Sequence, residues 1–205
     1  SRRRHTRCSR DWSSDVCSSD LTPQLRDLVK DKHTEAENHR FAKYLLSKNI
    51  DPAVYADYLF NQFYIYNALE QRALQMGILN GMKNLLRADK IAEDLKELQE
   101  ELPDLKVKKY ITTIEYERYI NGRPANAILP HIYVRHFGDM YGGAIMKKNL
   151  PGSGTMYDFV GKKDLIDNIR NRLSPEMAPE ANKVFKFAID LFEELAVEHN
   201  IQAPK

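Results

Sequence analysis

Apolar side chains recur along the chain with the spacing of amphipathic α-helices, beginning near Thr22. Thr22 is a good N-cap and Pro23 suits the first helical position. The segment Asn49–Pro52 ends this first helix and starts the next one, with Asp51 as its cap. The sequence contains no strand-like alternation and no repeat of about 20–50 residues. The pattern therefore predicts an all-α, single-domain bundle of about seven helices, at about 23–48, 53–76, 83–101, 105–120, 127–148, 158–173 and 178–199.

The first twenty residues differ in composition from the rest of the 205-residue chain. They contain both cysteines, Cys8 and Cys17, and the single tryptophan, Trp12. We expect residues 1–20 to be a disordered or non-native tail, since they lack apolar periodicity and the continuous apolar stretch of a signal peptide. The functional domain would then be residues 21–205. Its lack of cysteine excludes thiol catalysis, iron–sulfur clusters and Cys-based zinc sites.

The charge of the chain argues against several classes of function. The net charge is +2, and five Arg and three Asp within residues 1–20 account for it, leaving 26 basic and 26 acidic residues in the rest. A balanced domain is not expected to wrap nucleic acid, because binding to phosphates requires a basic excess. No apolar run approaches the roughly 18–20 residues of a membrane span. We expect a soluble, cytoplasmic protein and a monomer.

Three glycines fall within six residues of the predicted helix 127–148: Gly138, Gly142 and Gly143. Each glycine inside a helix costs about 1 kcal/mol relative to alanine, so some compensation is expected. Either the helix continues with a kink and lies close to a neighbour or a flat ligand, or it ends at Gly142 and Gly143. The helix-forming residues that follow favour a kinked, continuous helix. Asp139 lies within this segment, four residues after Arg135, either as a surface ion pair or as an anchor for water over a ligand.

A second group of polar residues shares one face of the first helix. Arg26, Lys30, His33 and Glu37 lie within about 60° of one another at helical spacing. This face is either a solvated surface with pairs four residues apart, or a haem site in which an imidazole binds iron and cations meet propionates. Spacing alone does not choose among His33, His131 and His136 as the ligand.

Three segments of the chain resemble the haem oxygenase family. Leu25–Asn38 (LRDLVKDKHTEAEN) resembles its proximal helix, Tyr133–Gly143 (YVRHFGDMYGG) its distal helix, and Leu191–Leu195 (LFEEL) its last helix. Their order and separations also fit, and the resemblance covers about residues 22–200. It implies a haem-oxygenase-like helical bundle in which haem b is both cofactor and substrate.

The resemblance implies a role for each matching residue. His33 would be the proximal iron ligand, with Glu37 orienting its ring. Asp139 would hold a distal water network that Arg135 supports, and Gly138 and Gly142 would let the helix lie against the porphyrin. The remaining haem-binding positions would be Arg26, Lys30, Tyr133, Gly143 and Arg170, with Lys163 or Arg172 as alternatives to Arg170.

The sequence departs from the family pattern at two positions. Tyr141 stands where a small residue is usual, which would crowd the edge of the pocket. Phe63 stands where some members place a tyrosine that hydrogen-bonds to the distal aspartate. We therefore expect one support of Asp139 to be missing, with an effect on the rate more than on the reaction.

The implied reaction uses O₂ and external electrons to convert haem to biliverdin, CO and ferrous iron. The sequence has no dinucleotide or flavin motif, and no C-terminal anchor of the kind found in membrane-bound members, so we expect a soluble, acidic ferredoxin as the donor. It would dock on a basic rim that includes Lys147, Lys148, Lys162 and Lys163. A bilin reductase could take the product. The alternatives are a haem carrier or sensor without ring cleavage, and another helical enzyme such as a dimetal carboxylate oxidase or a thiaminase-like protein. The missing cysteine argues against a thiaminase-like protein, and no set of Glu and His suited to a dimetal site stands out.

Overall fold

The computed structural model describes residues 23–202 of the chain, and the expectation of a disordered tail at residues 1–20 concerns residues outside this range. The described part is all-α, as predicted, with eight α-helices and three short 3₁₀ turns. The helices are α1 Pro23–Asn38, α2 Arg40–Leu45, α3 Pro52–Gln75, α4 Ala88–Glu101, α5 Ile111–Asn121, α6 Ala125–Met146, α7 Lys162–Arg170 and α8 Ala178–Glu198. The 3₁₀ turns are Lys83–Leu85, Thr155–Tyr157 and Pro175–Met177.

The first predicted helix is divided in two at His39. The backbone of His39 is extended (φ −61°, ψ 139°), and its Nδ1 accepts a hydrogen bond from the backbone N–H of Phe41 at 3.2 Å. His39 therefore caps α2, a role that the apolar period alone does not reveal. The next boundary agrees with the prediction, because the Asp51 carboxylate caps α3 through the N–H of Ala53 at 2.8 Å.

The prediction of helix across residues 105–120 is wrong at its start. Residues 105–110 are not helical, and α5 begins at Ile111. Polar side chains of α3 bind this segment: Asp57 accepts the N–H of Lys108 at 3.0 Å and Asn61 accepts that of Tyr110 at 3.0 Å. These bonds hold the backbone outside a helix, and the partners lie about fifty residues earlier in the sequence.

Two helices organise the packing. The long helix α3 packs against α4, α5 and α6, and it contributes the buried side chains of Tyr55, Leu59, Ile65 and Leu69 to the core. The last helix, α8, packs against α1, α2, α5 and α6. Both α1 and α6, which carry the predicted site residues, therefore flank α8.

The glycine-rich helix continues through its three glycines. Helix α6 is unbroken from Ala125 to Met146, so Gly142 and Gly143 lie inside it and do not end it. This confirms the expectation of a continuous helix, while the expected kink stays a prediction.

Candidate functional site

His33 lies on α1 beside the other polar residues of its predicted face. Its side chain is about three-quarters shielded, with 24% of its surface exposed, and its Nε2 lies 3.4 Å from Oε1 of Glu37. The ring also meets Phe185 of α8 edge to face, with centroids 5.5 Å apart. Burial, and then the positive charge of Arg26, lower the pKa of His33. The imidazole is thus neutral at pH 7, which is the form that binds metals.

Two cations accompany this imidazole on α1. Arg26 is half-buried and close enough to act electrostatically on His33, while Lys30 is exposed. The helix face therefore combines a shielded imidazole with one partly buried and one solvent-facing cation. This arrangement suits a ligand with an apolar body and anionic groups at its edge.

The three glycines of α6 have different surroundings. Gly138 is exposed, and a Cβ added there would meet no atom within 4 Å, so this glycine leaves open space beside the helix. Gly142 is buried. At Gly143 an added Cβ would lie 2.2 Å from Cδ1 of Tyr157, so the close approach of this ring accounts for the glycine. Contact between Gly143 and haem stays a prediction.

Asp139 is half-buried on α6, and Tyr66 of α3 donates a short hydrogen bond to its Oδ2. The expectation that Asp139 lacks a tyrosine support is therefore wrong. Phe63 lies one turn away on α3, and Tyr66 supplies the hydroxyl. Helical spacing in a single sequence could not decide between these two aromatic positions, because both lie on a helix that is buried along most of its length.

The electrostatics of Asp139 differ from those of a surface carboxylate. Burial raises its pKa from 3.8 to about 6, against the hydrogen bond from Tyr66 and the positive charges of His136, Arg135 and Arg87. A carboxyl group with this proton affinity exchanges a proton readily near neutral pH.

Arg135 is buried, and it faces α5 and α3. Its Nε donates to the hydroxyl of Tyr116 at 3.2 Å and its Nη1 donates to Oε1 of Gln62 at 3.5 Å. Among the contacts of the described residues, no hydrogen bond or ion pair joins Arg135 to Asp139, so its influence on Asp139 is purely electrostatic. Of the two interpretations of Asp139 that the sequence left open, the surface ion pair with Arg135 is therefore not formed.

A ladder of aromatic rings runs along α6 toward α7. Tyr133 packs edge to face on Phe137, and Phe137 on Tyr141, with centroids 5.0 and 5.9 Å apart. The Tyr141 hydroxyl accepts a hydrogen bond from Nη2 of Arg170 at 3.2 Å. Tyr141, at the position expected to be crowded, therefore connects α6 to the predicted cation on α7.

An open cleft of about 500 Å³ lies between the end of α6 and α7. Its lining combines cations with an aromatic ring: Tyr141, Lys162, Lys163, Ile166, Asp167 and Arg170. The alternative cation Arg172 donates to the backbone carbonyl of Ile78 at 2.8 Å and does not line the cleft. This placement favours Arg170 over Arg172 as a ligand for an anionic group.

A buried polar cluster behind Asp139 was missed from the sequence. His136, Glu70 and Arg87 are almost fully buried, and Nε2 of His136 lies 3.0 Å from Oε1 of Glu70. The two residues are 66 positions apart, and a single sequence carries no signal that would pair them. The cluster links α6 to α3 and to the start of α4.

Two other kinds of site are absent from residues 23–202, a metal-binding cluster and a membrane-spanning helix. Within that range no three His, Cys, Asp or Glu side chains gather as a metal site, and no helix is long and apolar enough to cross a membrane. The side chains present do fit haem: a shielded neutral imidazole on α1, open space beside Gly138 on α6, and cations at the edge.

The chain is similar to known proteins along most of its length. The sequence model of the family described as Heme oxygenase matches residues 19–194. The chain therefore belongs to the haem oxygenase family, as the resemblance indicated.

The relatives include algal and structurally characterised proteins. A heme oxygenase of Rhodella violacea is 28% identical, with 88% of each chain covered, and one of Pyropia yezoensis is 28% identical, with 85% of each covered. Among solved structures, heme oxygenase-1 of the cyanobacterium Synechocystis, in complex with heme, has a TM-score of 0.76 at 23% identity, covering 89% of this chain and 94% of that one. The heme oxygenase of Leptospira interrogans has a TM-score of 0.71 at 22% identity, covering 86% of this chain and 100% of that one. These structures support the fold.

Proposed function

We propose that this protein opens the haem ring with O₂ and externally supplied electrons, releasing biliverdin, CO and ferrous iron. The observation that carries the proposal is that two helices packed against α8 each carry a half-buried functional group. His33 pairs with Glu37 on α1, and Asp139 on α6 accepts a hydrogen bond from the buried Tyr66 of α3. When bound, haem supplies both the iron that activates O₂ and the ring that is cleaved. Membership of the family favours this reaction over haem carriage or sensing.

The proximal role falls to His33. Because burial lowers its pKa, the imidazole stays neutral and can donate a lone pair to iron. Glu37 would face one ring nitrogen while iron binds the other, which fixes the ring orientation and raises its basicity. Phe185 limits rotation of the ring from the side of α8.

The distal role falls to Asp139. Held by Tyr66, its carboxyl group can order water above the ring and hold or release a proton near neutral pH. The open space beside Gly138 would let the ring approach the α6 backbone, with Gly142 on the same helix. Arg135 would act on Asp139 through its charge.

The orientation of the ring in its plane would depend on its propionates. Arg26 and Lys30 on α1, Tyr133 on α6 and Arg170 on α7 are the proposed partners, with Lys162 at the same cleft. Charge pairing of this kind decides which edge of the ring faces Asp139 and hence where the ring opens.

Aerobic turnover of the haem complex tests the reaction. With ascorbate or reduced ferredoxin, we expect the Soret band to disappear and a broad red absorption to grow, with biliverdin identified by chromatography. A Soret band that persists would identify a haem carrier and refute the proposal. His33→Ala should abolish the histidine-ligated spectrum. His199→Ala is the matched control, since His199 pairs with Asp57 in a different cluster.

We also propose an acidic ferredoxin as the electron donor, docking beside the cleft between α6 and α7. Lys148 is exposed after the end of α6, and Lys163 is exposed on α7, where it pairs with Asp167. Lys147 pairs with Asp158, and Lys162 binds the carbonyl of Met140. Reduction by ferredoxin should slow with rising salt and in Lys148→Ala and Lys163→Ala, because the attraction is between opposite charges. Lys96→Ala on α4 is the control, since Lys96 is also exposed and, like Lys163, pairs with a carboxylate four residues later. A rate of reduction that changes neither with salt nor in the two variants would refute this docking surface.

The organisation of the chain is a further part of the proposal. We propose that residues 21–205 form the haem oxygenase domain and that residues 1–20 are dispensable. We also propose that the protein acts as a cytoplasmic monomer and passes its product to a bilin reductase. The family match begins at residue 19, which supports the boundary. A chain starting at residue 21 should keep full turnover and elute from size exclusion as a monomer. Loss of turnover on this truncation would contradict the boundary.

A further inference from the structure

His136 is a fully buried histidine on α6, and the proposed reaction does not use it directly. Its Nδ1 lies 3.1 Å from the carbonyl oxygen of Ile132 and its Nε2 lies 3.0 Å from Oε1 of Glu70. A backbone carbonyl can only accept a hydrogen bond, so Nδ1 carries a proton. The charge of the ring then depends on whether Glu70 accepts or donates at Nε2.

The surroundings of Glu70 show that it accepts. Its Oε1 receives the backbone N–H of Arg87 at 2.6 Å and its Oε2 receives that of Ala88 at 3.1 Å. These N–H groups lie at the start of α4, where the helix dipole also favours a negative charge. Both oxygens of Glu70 therefore have the partners of an ionised carboxylate. An ionised Glu70 can only accept, which requires both nitrogens of His136 to donate.

The His136 ring lies next to the tyrosine that supports the distal carboxylate. The His136 ring meets the ring of Tyr66 edge to face, with centroids 5.1 Å apart, and Tyr66 donates to Asp139. The titratable and charged groups that act on Asp139 are Tyr55, Tyr58 and Tyr66 on α3, Arg135 and His136 on α6, Arg87 before α4, and Tyr157 in the 3₁₀ turn. Among the three cations, His136 differs because its charge depends on one proton shared with Glu70.

We propose that Glu70 holds His136 as a buried imidazolium, and that this charge sets the proton affinity of Asp139. His136 is then a positioning residue that acts through Tyr66 and the electric field, without touching the substrate. The positive charge favours the ionised form of Asp139 and opposes the effect of its burial. This inference rests on the proposed function only for the consequence of Asp139 ionisation, because the imidazolium itself is a property of the protein without haem.

The protonation of His136 can be measured directly in the full chain without haem. In ¹⁵N-labelled protein, long-range ¹H–¹⁵N correlations distinguish an imidazolium, with two protonated nitrogens, from a neutral ring. We expect the His136 ring to show two protonated nitrogens at about pH 7. His131 is the internal reference: it is equally buried on α6, and burial lowers its pKa, so its ring should be neutral. A neutral His136 with one unprotonated nitrogen would overturn the proposal without any substitution.

The effect on Asp139 is measured by the carboxyl ¹³C titration in two variants. His136→Gln keeps a hydrogen-bond donor for Glu70 but removes the charge, and it should raise the proton affinity of Asp139 about three- to tenfold. His131→Gln removes an equally buried imidazole that is neutral, and it should leave the titration of Asp139 unchanged. Equal shifts in both variants, or none in either, would overturn the proposal. Failure of the proposed function would instead appear as absence of biliverdin while both NMR results still hold.

Discussion

Replacing Asp139 with asparagine should stabilise the folded protein at neutral pH. Burial raises the pKa of Asp139 from 3.8 to about 6, so the unfolded chain ionises this carboxyl more readily than the folded one. Ionisation therefore opposes folding above about pH 6, and this cost disappears as the pH falls below the ordinary value of an aspartate. A difference of about two between the folded and the unfolded pKa corresponds to about 3 kcal/mol in the free energy of unfolding. Since solvent reaches part of the side chain, we expect a gain of about 2 kcal/mol.

Asparagine is a suitable replacement because its amide oxygen can still accept the hydrogen bond from Tyr66. The free energy of unfolding would be measured by urea denaturation of the parent and the variant at about pH 7.5 and about pH 4. The variant should be more stable at the higher pH and should lose most of this advantage at the lower one. The same variant should keep its affinity for haem and lose biliverdin production.

Asp104→Asn provides the control, because Asp104 is exposed in the loop after α4. Its substitution should change the free energy of unfolding by less than about 0.5 kcal/mol. A gain for Asp139→Asn that is the same at both pH values would refute the reasoning, since it would show that ionisation is not its source. A loss of stability at the higher pH would refute it as well.

Gly143→Ala should destabilise the protein by about 1–3 kcal/mol in urea denaturation, because its Cβ would lie 2.2 Å from Tyr157. In Gly138→Ala the added Cβ would meet no atom within 4 Å, and the free energy of unfolding should rise by up to about 1 kcal/mol from helix propensity. The same Cβ should slow ring opening, because it would occupy the space proposed for the ring. Equal stability changes in these two variants would contradict the assignment of their surroundings. Burial of Glu180 opposes its ionisation, but hydrogen bonds from His131, Tyr119 and Lys183 lower its pKa from 4.5 to about 2. Glu180→Gln should therefore cost about 3 kcal/mol at pH 7, and this cost should shrink as the pH falls from about 4.5 toward 2. A cost for Glu180→Gln that does not depend on pH would contradict the ionised state.

Much of the architecture could be predicted because helix formation depends on local features. The apolar period, the cap at Asp51 and the clustered glycines of α6 all lie within a few residues of the structure they determine. The apolar period missed the local cap at His39, which divides the first predicted helix, and it failed again where a distant side chain changes the backbone. Residues 105–110 leave the helix because Asp57 and Asn61 of α3 bind them.

The candidate site shows the same division. His33 and Asp139 could be selected because each lies in a sequence segment that resembles a known helix. The residue that supports Asp139 could not be selected from the sequence, because Phe63 and Tyr66 occupy the same aromatic helix. Only the packing of α3 on α6 decides which of the two reaches the carboxylate.

The amino-acid sequence by itself determined the helices, the polar face of α1 and the glycine-rich segment of α6, because these depend on neighbours three or four positions away. The tertiary structure decided the proton affinities and the partners. Glu70 meets His136 across 66 positions, and burial raises the proton affinity of Asp139. Desolvation and long-range hydrogen bonding exist only once the helices have packed, so no local pattern can contain them.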